Sequence, residues 1–226
     1  MDLPRWLSRR IRKPRSGMEQ TFESIYESNA WGSEESLSGP GSTKERGAAF
    51  MDDLLSVLDD LACRVLLDVP CGDFNWIRPV AEKVDRYVGA DVVQALVSRN
   101  QKLFGSPRIR FMKLDLTTDP LPAADVILSR DCLVHLTTRD IARCLENIRR
   151  SSATYLVTTT FVGPRENEDI VTGSWRPLNL ERPPFSLPRP LHEIDERCHH
   201  TGGIYADKRL SVWRTADLTA VEEAGA

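Results

Sequence analysis

From residue 64 onward two patterns alternate along the chain. Short apolar runs form one of them: "RVLLDV" (64–69), "RYVGADV" (86–92), "IRFMKLDL" (109–116), "ADVILSRD" (124–131) and "ATYLVTTTF" (153–161). Between them lie stretches whose apolar residues recur every three or four positions: "WIRPVAEKV" (76–84), "VQALVSRNQKLF" (93–104) and "TTRDIARCLENIRR" (137–150). The runs read as buried strands and the stretches as helices with one apolar face. Strands alternating with helices predict a doubly wound, mostly parallel α/β sheet with helices on both faces. A further amphipathic helix is expected over 48–62, before the first strand. Beyond residue 162 the pattern gives way to the proline-rich "GSWRPLNLERPPFSLPRPLHEIDER", then a strand in "KRLSVWRTADL". An antiparallel pair added to the sheet edge fits this stretch.

The first strand ends in "LLDVPCGDFNW" (66–76). Ligands of open parallel sheets bind beyond the carboxyl ends of the strands. Gly72 lets the backbone turn sharply and approach a ligand, and a helix starting near Phe74 would aim free N–H groups at the same place. The corner has a single glycine, whereas a dinucleotide turn needs G-x-G-x-x-G, and no GxxxxGK[ST] loop follows. A ligand without a diphosphate is therefore expected. Asp91 ends the second strand, 19 residues beyond Gly72, where a carboxylate accepts both hydroxyls of a ribose. Asp115 closes the third strand and could accept from an exocyclic adenine amine.

These residues, with "KLDL" and "DVILSRDCLVHLT", resemble the class I S-adenosylmethionine-dependent methyltransferases over roughly residues 50 to 162. The family's first motif, [D/E]-x-G-x-G-x-G, is matched at Asp68 and Gly72, while Pro70 and Phe74 replace its outer glycines. "WGSEESLSGPGS", "CGDFNW" and "WRPLNLERPPF" look like a group of bacterial members without an assigned acceptor. The resemblance implies a Rossmann-like seven-stranded sheet and S-adenosyl-L-methionine as cofactor. It implies that Asp68 and the Cys71–Gly72 backbone hold the methionine end and that Asp91 takes the ribose, with Val92 beside the adenine. Asp115 and Leu116 would border the base, and Arg130 and Asp131 would face the sulfonium and the acceptor. The implied reaction is methyl transfer, with O-methylation of a small molecule or glycan expected. A non-catalytic cofactor-binding relative and an NAD-dependent oxidoreductase of similar architecture stay open as alternatives.

Asp131 and His135 are the candidate bases; their four-residue spacing puts them on one face if both are helical. His192, Glu193 and Asp195 are further candidates on the acceptor side. Arg176, Arg182 and Arg189 could bind an anionic acceptor. "CHH" (198–200) is a poor metal site without a fourth spaced ligand, and exposed loop residues are expected there. The loop "WGSEESLSGPGS" (31–42) has the hinges of a lid, whose serines could bind the cofactor's carboxylate. Trp31, Trp76 or Trp175 could place an aromatic face near the sulfonium.

The totals add limits. The chain has 226 residues, 41% hydrophobic and 28% charged, which suits one ordinary folded domain. A net charge of −3 and the absence of a basic stripe with interleaved aromatics argue against nucleic acid. No apolar run approaches the roughly 18 residues of a membrane span. Five cysteines without a CxxC pair suit a reducing cytoplasm. The expected organisation is a basic arm and lid-like loop over 1–48, the catalytic domain over 49–218 and a disordered tail over 219–226. A homodimer stays open.

Overall fold

The computed structural model describes residues 17–199 and 202–218. The first part of the basic arm (1–16) and the expected tail (219–226) lie outside the described residues.

Seven strands form one sheet: β1 (Val65–Asp68), β2 (Arg86–Asp91), β3 (Ile109–Lys113), β4 (Val126–Ser129), β5 (Tyr155–Phe161), β6 (His192–Asp195) and β7 (Lys208–Arg214). Their order is β3-β2-β1-β4-β5-β7-β6. The first five run parallel, while β7 is antiparallel to β5 and β6 antiparallel to β7. The order reverses between β1 and β4, the place where a doubly wound sheet opens a crevice. The fold is the Rossmann-like sheet with an antiparallel edge pair that the pattern predicted.

Burial explains why these runs became strands. Leu66 and Leu67 of β1, Val126, Ile127 and Leu128 of β4, and Leu156 and Val157 of β5 are all buried. Side chains alternate across the pleat, so each run feeds two cores. One core holds Leu67, Ile127 and Leu156 against Ile141, Leu145 and Ile148 of α6 (Thr138–Arg149). The other holds Leu66, Leu128 and Val157 with Leu54 and Leu58.

Several helices differ from the periodic reading. The helix expected over 48–62 is α3 (Met51–Asp60), and Ala48 instead ends a separate short helix, α2 (Lys44–Ala48). The break lies at Phe50, which leaves helical geometry and buries its ring against Trp76. No helix begins near Phe74. That residue is left-handed (φ 62°) because its ring turns inward onto Tyr87, Phe104 and Phe111. Helix α4 (Arg78–Ala81) starts only afterwards, with a proline in its first turn. Helix α5 (Gln94–Phe104) follows β2. An N-terminal helix, α1 (Gly17–Ser28), lies ahead of the sheet and is tied to β3 by an ion pair of 2.6 Å between Glu19 and Lys113.

Candidate active site

One cavity lies beyond the carboxyl ends of β1, β2, β3 and β4 and encloses about 1060 Å³ of empty space, its mouth included. Its floor is the corner after β1. Gly72 is left-handed (φ 52°), as its role as a turn residue requires. Its N–H donates to Asp91 Oδ2 (3.1 Å), and its carbonyl accepts from Asn100 Nδ2 (2.7 Å). Val93 N donates to Asp91 Oδ1 (2.9 Å). Asp91 thus receives one backbone N–H on each oxygen and keeps lone pairs for a ligand. Burial pushes its carboxyl up to about 6, against the pull of those N–H groups. Asp68 accepts from the buried Tyr87 hydroxyl, and burial pushes its carboxyl to about 7.

The loop between α1 and α2 forms a side wall and is strapped to the corner. Asp73 Oδ1 accepts from Ser36 Oγ (3.1 Å) and Oδ2 from Leu37 N (2.9 Å). Asp73 N donates to Ser38 Oγ (3.0 Å), and Asn75 Nδ2 to Glu35 Oε1 (2.7 Å). Ser38 and Ser42 line the cavity. The roof is aromatic: Phe22 and Tyr26 of α1 line it together with Trp31. The Trp31 ring lies 5.0 Å from that of His135 and 6.4 Å from that of Phe22.

The far wall is the turn after β4. Arg130 is buried; Nε and Nη2 donate to Glu196 Oε2 (3.0 and 2.6 Å) and Nη1 to Gly41 O (3.0 Å). Its guanidinium lies 4.8 Å from the Trp76 ring centroid and 5.1 Å from that of Phe50. Asp131 is left-handed (φ 51°), with its N–H donating to Thr159 Oγ1 (2.8 Å). Lys208 Nζ is 2.7 Å from both of its carboxylate oxygens. Burial acts to raise the Asp131 carboxyl, but Lys208 and Arg130 outweigh it and hold it far below the ordinary range. His135 Nδ1 is 2.8 Å from Ser174 O, a partner that can only accept, so Nδ1 carries the proton. Burial lowers the His135 pKa, opposed by the Ser174 carbonyl and by Asp131. The ring is therefore neutral near pH 7, with Nε2 left as a proton acceptor.

Asp68, Cys71, Gly72, Asp91, Val92, Leu116, Arg130, Asp131 and His135 all line this one cavity. Asp115 does not: its Oδ1 accepts from Thr117 N (3.0 Å) and Thr117 Oγ1 (2.6 Å), closing the turn after β3. Asp131 and His135 share no helical face, because His135 ends a separate 3-10 turn (Leu133–His135) and α6 starts three residues later. Arg176 is spent on the carbonyls of Leu133, Leu136 and Glu168, capping that turn, and is not offered to an acceptor. His192, Glu193 and Asp195 sit on the outermost strand, away from the cavity. Trp175 packs on Phe161 and Tyr205 outside it. Cys198 is buried rather than exposed, and His200 lies outside the described residues. Among the described residues no cluster of His, Cys, Asp or Glu could hold a metal ion, and no helix is long and apolar enough to cross a membrane.

Residues 66–153, which run from within β1 to just before β5, match the methyltransferase domain family. Over this segment the chain carries a methyltransferase domain of the S-adenosylmethionine-dependent kind. An uncharacterized methyltransferase of Mycobacterium tuberculosis is 27% identical to this methyltransferase over 161 residues, 63% of this chain and 80% of that one. Among solved structures, human N-acetylserotonin methyltransferase in complex with S-adenosylmethionine superposes with a TM-score of 0.55 at 15% identity, over 88% of this chain and 60% of that one. Phosphoethanolamine N-methyltransferase 1 of Haemonchus contortus, with phosphoethanolamine and S-adenosylhomocysteine, gives 0.53 at 15% identity over 72% and 36%. These likenesses describe the fold. The methyltransferase's own roof is another matter: Met18, Phe22 and Tyr26 precede the matched segment, and sequence reasoning gave them no role. The three lie at helical spacing in "MEQTFESIYES", a pattern that marks an apolar face without saying what it covers.

Proposed function

We propose that this enzyme carries a methyl group from S-adenosylmethionine to a hydroxyl oxygen of a small molecule or glycan, with His135 as the base. The observation that carries this reading is the placement of a neutral imidazole, fixed through Nδ1 by Ser174 O, in the same cavity as Asp91 and Gly72. Asp91 receives the ribose hydroxyls, Leu114, Leu116 and Val92 flank the adenine, and Asp68, Ser38 and Ser42 meet the methionine end. Bound S-adenosylmethionine would supply a methyl on positive sulfur, and His135 Nε2 would take the proton that the acceptor hydroxyl loses as its oxygen replaces sulfur on that methyl. Asp131 is a poor rival as base, because a carboxylate held so far below its ordinary range accepts protons weakly. Its fixed negative charge suits the sulfonium instead. The aromatic roof supports an acceptor that enters as a small body or as the end of a glycan. Free thiols at Cys63, Cys71, Cys132, Cys144 and Cys198 suit work in the cytoplasm.

Ser38 Oγ packs over Gly72, where a diphosphate would need bare backbone, and this speaks against a nicotinamide cofactor. Calorimetry with S-adenosylhomocysteine and with NAD tests the cofactor, and methyl release over a panel of hydroxyl, amine and carboxylate acceptors tests the chemistry. Binding of S-adenosylhomocysteine and turnover confined to hydroxyls are expected. Turnover only on amines or carboxylates would overturn the role given to His135.

A further inference from the structure

Behind the far wall lies a buried cluster of four charges whose members come from two distant parts of the chain. Arg130 and Asp131 follow β4; Glu196 follows β6 and Lys208 opens β7. Glu196 Oε2 accepts from Arg130 at 2.6 Å and from Lys208 at 3.1 Å, and the Glu196 side chain is fully buried. Glu196 Oε1 has no hydrogen-bond partner. Burying four charges is costly and is a poor route to stability alone. Of the four, only Arg130 and Asp131 reach the cavity.

We infer that Lys208 and Glu196 are positioning residues that act through Asp131, keeping one carboxylate ionised and fixed beside the cofactor's sulfur. This rests on the reading of the cavity as the S-adenosylmethionine site. Lys208 spans both oxygens of Asp131 and so holds its plane. Glu196 takes the second charge of the Arg130–Lys208 pair, so the excess cation does not repel the sulfonium. The other groups facing Asp131 are His135, Cys132 and Cys198; the first is neutral near pH 7, and burial pushes both thiols up, so they carry no charge there. The cluster then sets how strongly the site prefers a charged sulfur over a neutral one.

The test is the affinity ratio of S-adenosylmethionine to S-adenosylhomocysteine, measured by calorimetry from pH 5.5 to 8. The ratio cancels the hydrogen bonds that Asp91 and Asp68 give both ligands. In the wild type any slope comes from Asp68, Asp91 and His135, which line the same cavity, and each variant is read against that curve. In Lys208→Met the Asp131 carboxyl loses its ammonium and the preference for the charged ligand should fall more steeply than in the wild type as pH is lowered; Lys208→Arg should restore the wild-type profile. Glu196→Gln leaves two cations against one carboxylate and should cut the preference about tenfold at every pH, the size of one screened charge pair. Should Lys208→Met fail to fold, Glu196→Gln carries the test. Wild-type ratios in folded variants that still bind S-adenosylhomocysteine would overturn the inference. Failure of the wild type to bind either ligand would overturn the cofactor reading beneath it.

Discussion

The Ser38 hydroxyl occupies the space that a β-carbon on Gly72 would need. The two residues belong to segments 34 positions apart, the side-wall loop and the corner after β1, and Ser38 also accepts from the N–H of Asp73. The corner glycine therefore serves two ends: it allows a left-handed turn and it admits the loop.

Gly72→Ala should be strongly disruptive. The left-handed backbone alone costs a side chain about 1–2 kcal/mol, and the new methyl must expel Ser38. Loss of S-adenosylhomocysteine binding and a lower denaturation midpoint are expected. Adding Ser38→Ala removes the nearer of the two clashing atoms and should recover part of the steric cost, leaving the backbone part. If the double variant is no more stable than Gly72→Ala, the contact between the two residues does not matter.

Asp91 makes cofactor binding depend on pH. Its ionised form accepts from both ribose hydroxyls, so affinity for S-adenosylhomocysteine should rise as pH rises through about 6. Asp91→Asn should flatten that limb and weaken binding by about 10- to 100-fold at pH 7.5, the worth of hydrogen bonds to a charged acceptor. Stability without ligand runs the other way. A carboxyl whose folded pKa is raised holds its proton more tightly when folded, so its contribution is full below about 4 and is lost as pH climbs to about 6 for Asp91 and about 7 for Asp68. Denaturation of Asp91→Asn across this range should show a smaller decline than wild type.

His135→Gln should lower kcat by roughly 10²–10⁴-fold, the usual contribution of a general base, with S-adenosylhomocysteine affinity little changed. At saturating cofactor the wild-type kcat should show an acid limb with its midpoint below the ordinary imidazole value, because burial lowers the His135 pKa. Retention of that acid limb in the variant would assign it to another group.

Much of the frame was readable from residues alone. Leu66, Leu67, Val126 to Leu128 and Leu156 are apolar because both faces of their strands are covered, and that signal is local. The acids at 68 and 91 were legible because they stand at strand ends. What stayed hidden depends on contacts between distant segments. Strand β6, "HEID", has only Ile194 buried and exists because it pairs with β7. The break at Phe50 and the inward turn of Phe74 answer to aromatic partners elsewhere in the chain. Arg130 finds Glu196 across 66 positions and Asp131 finds Lys208 across 77, which no spacing rule announces. Asp115 differs for a local reason: Thr117, two residues away, takes its Oδ1, and the residue does not line the cavity.

The aromatic roof has a consequence for synthesis on the ribosome. Helix α1 and Trp31 emerge before any strand, yet their anchors come later: Lys113 for Glu19, His135 for Trp31, and the Gly173 backbone beneath Thr21 and Ile25. A nascent chain must keep this segment waiting, its rings bare, until most of the sheet exists. The ability to enclose a ligand is thus acquired only once residue 173 has emerged, and chains halted before residue 174 would carry bare rings without a finished chamber.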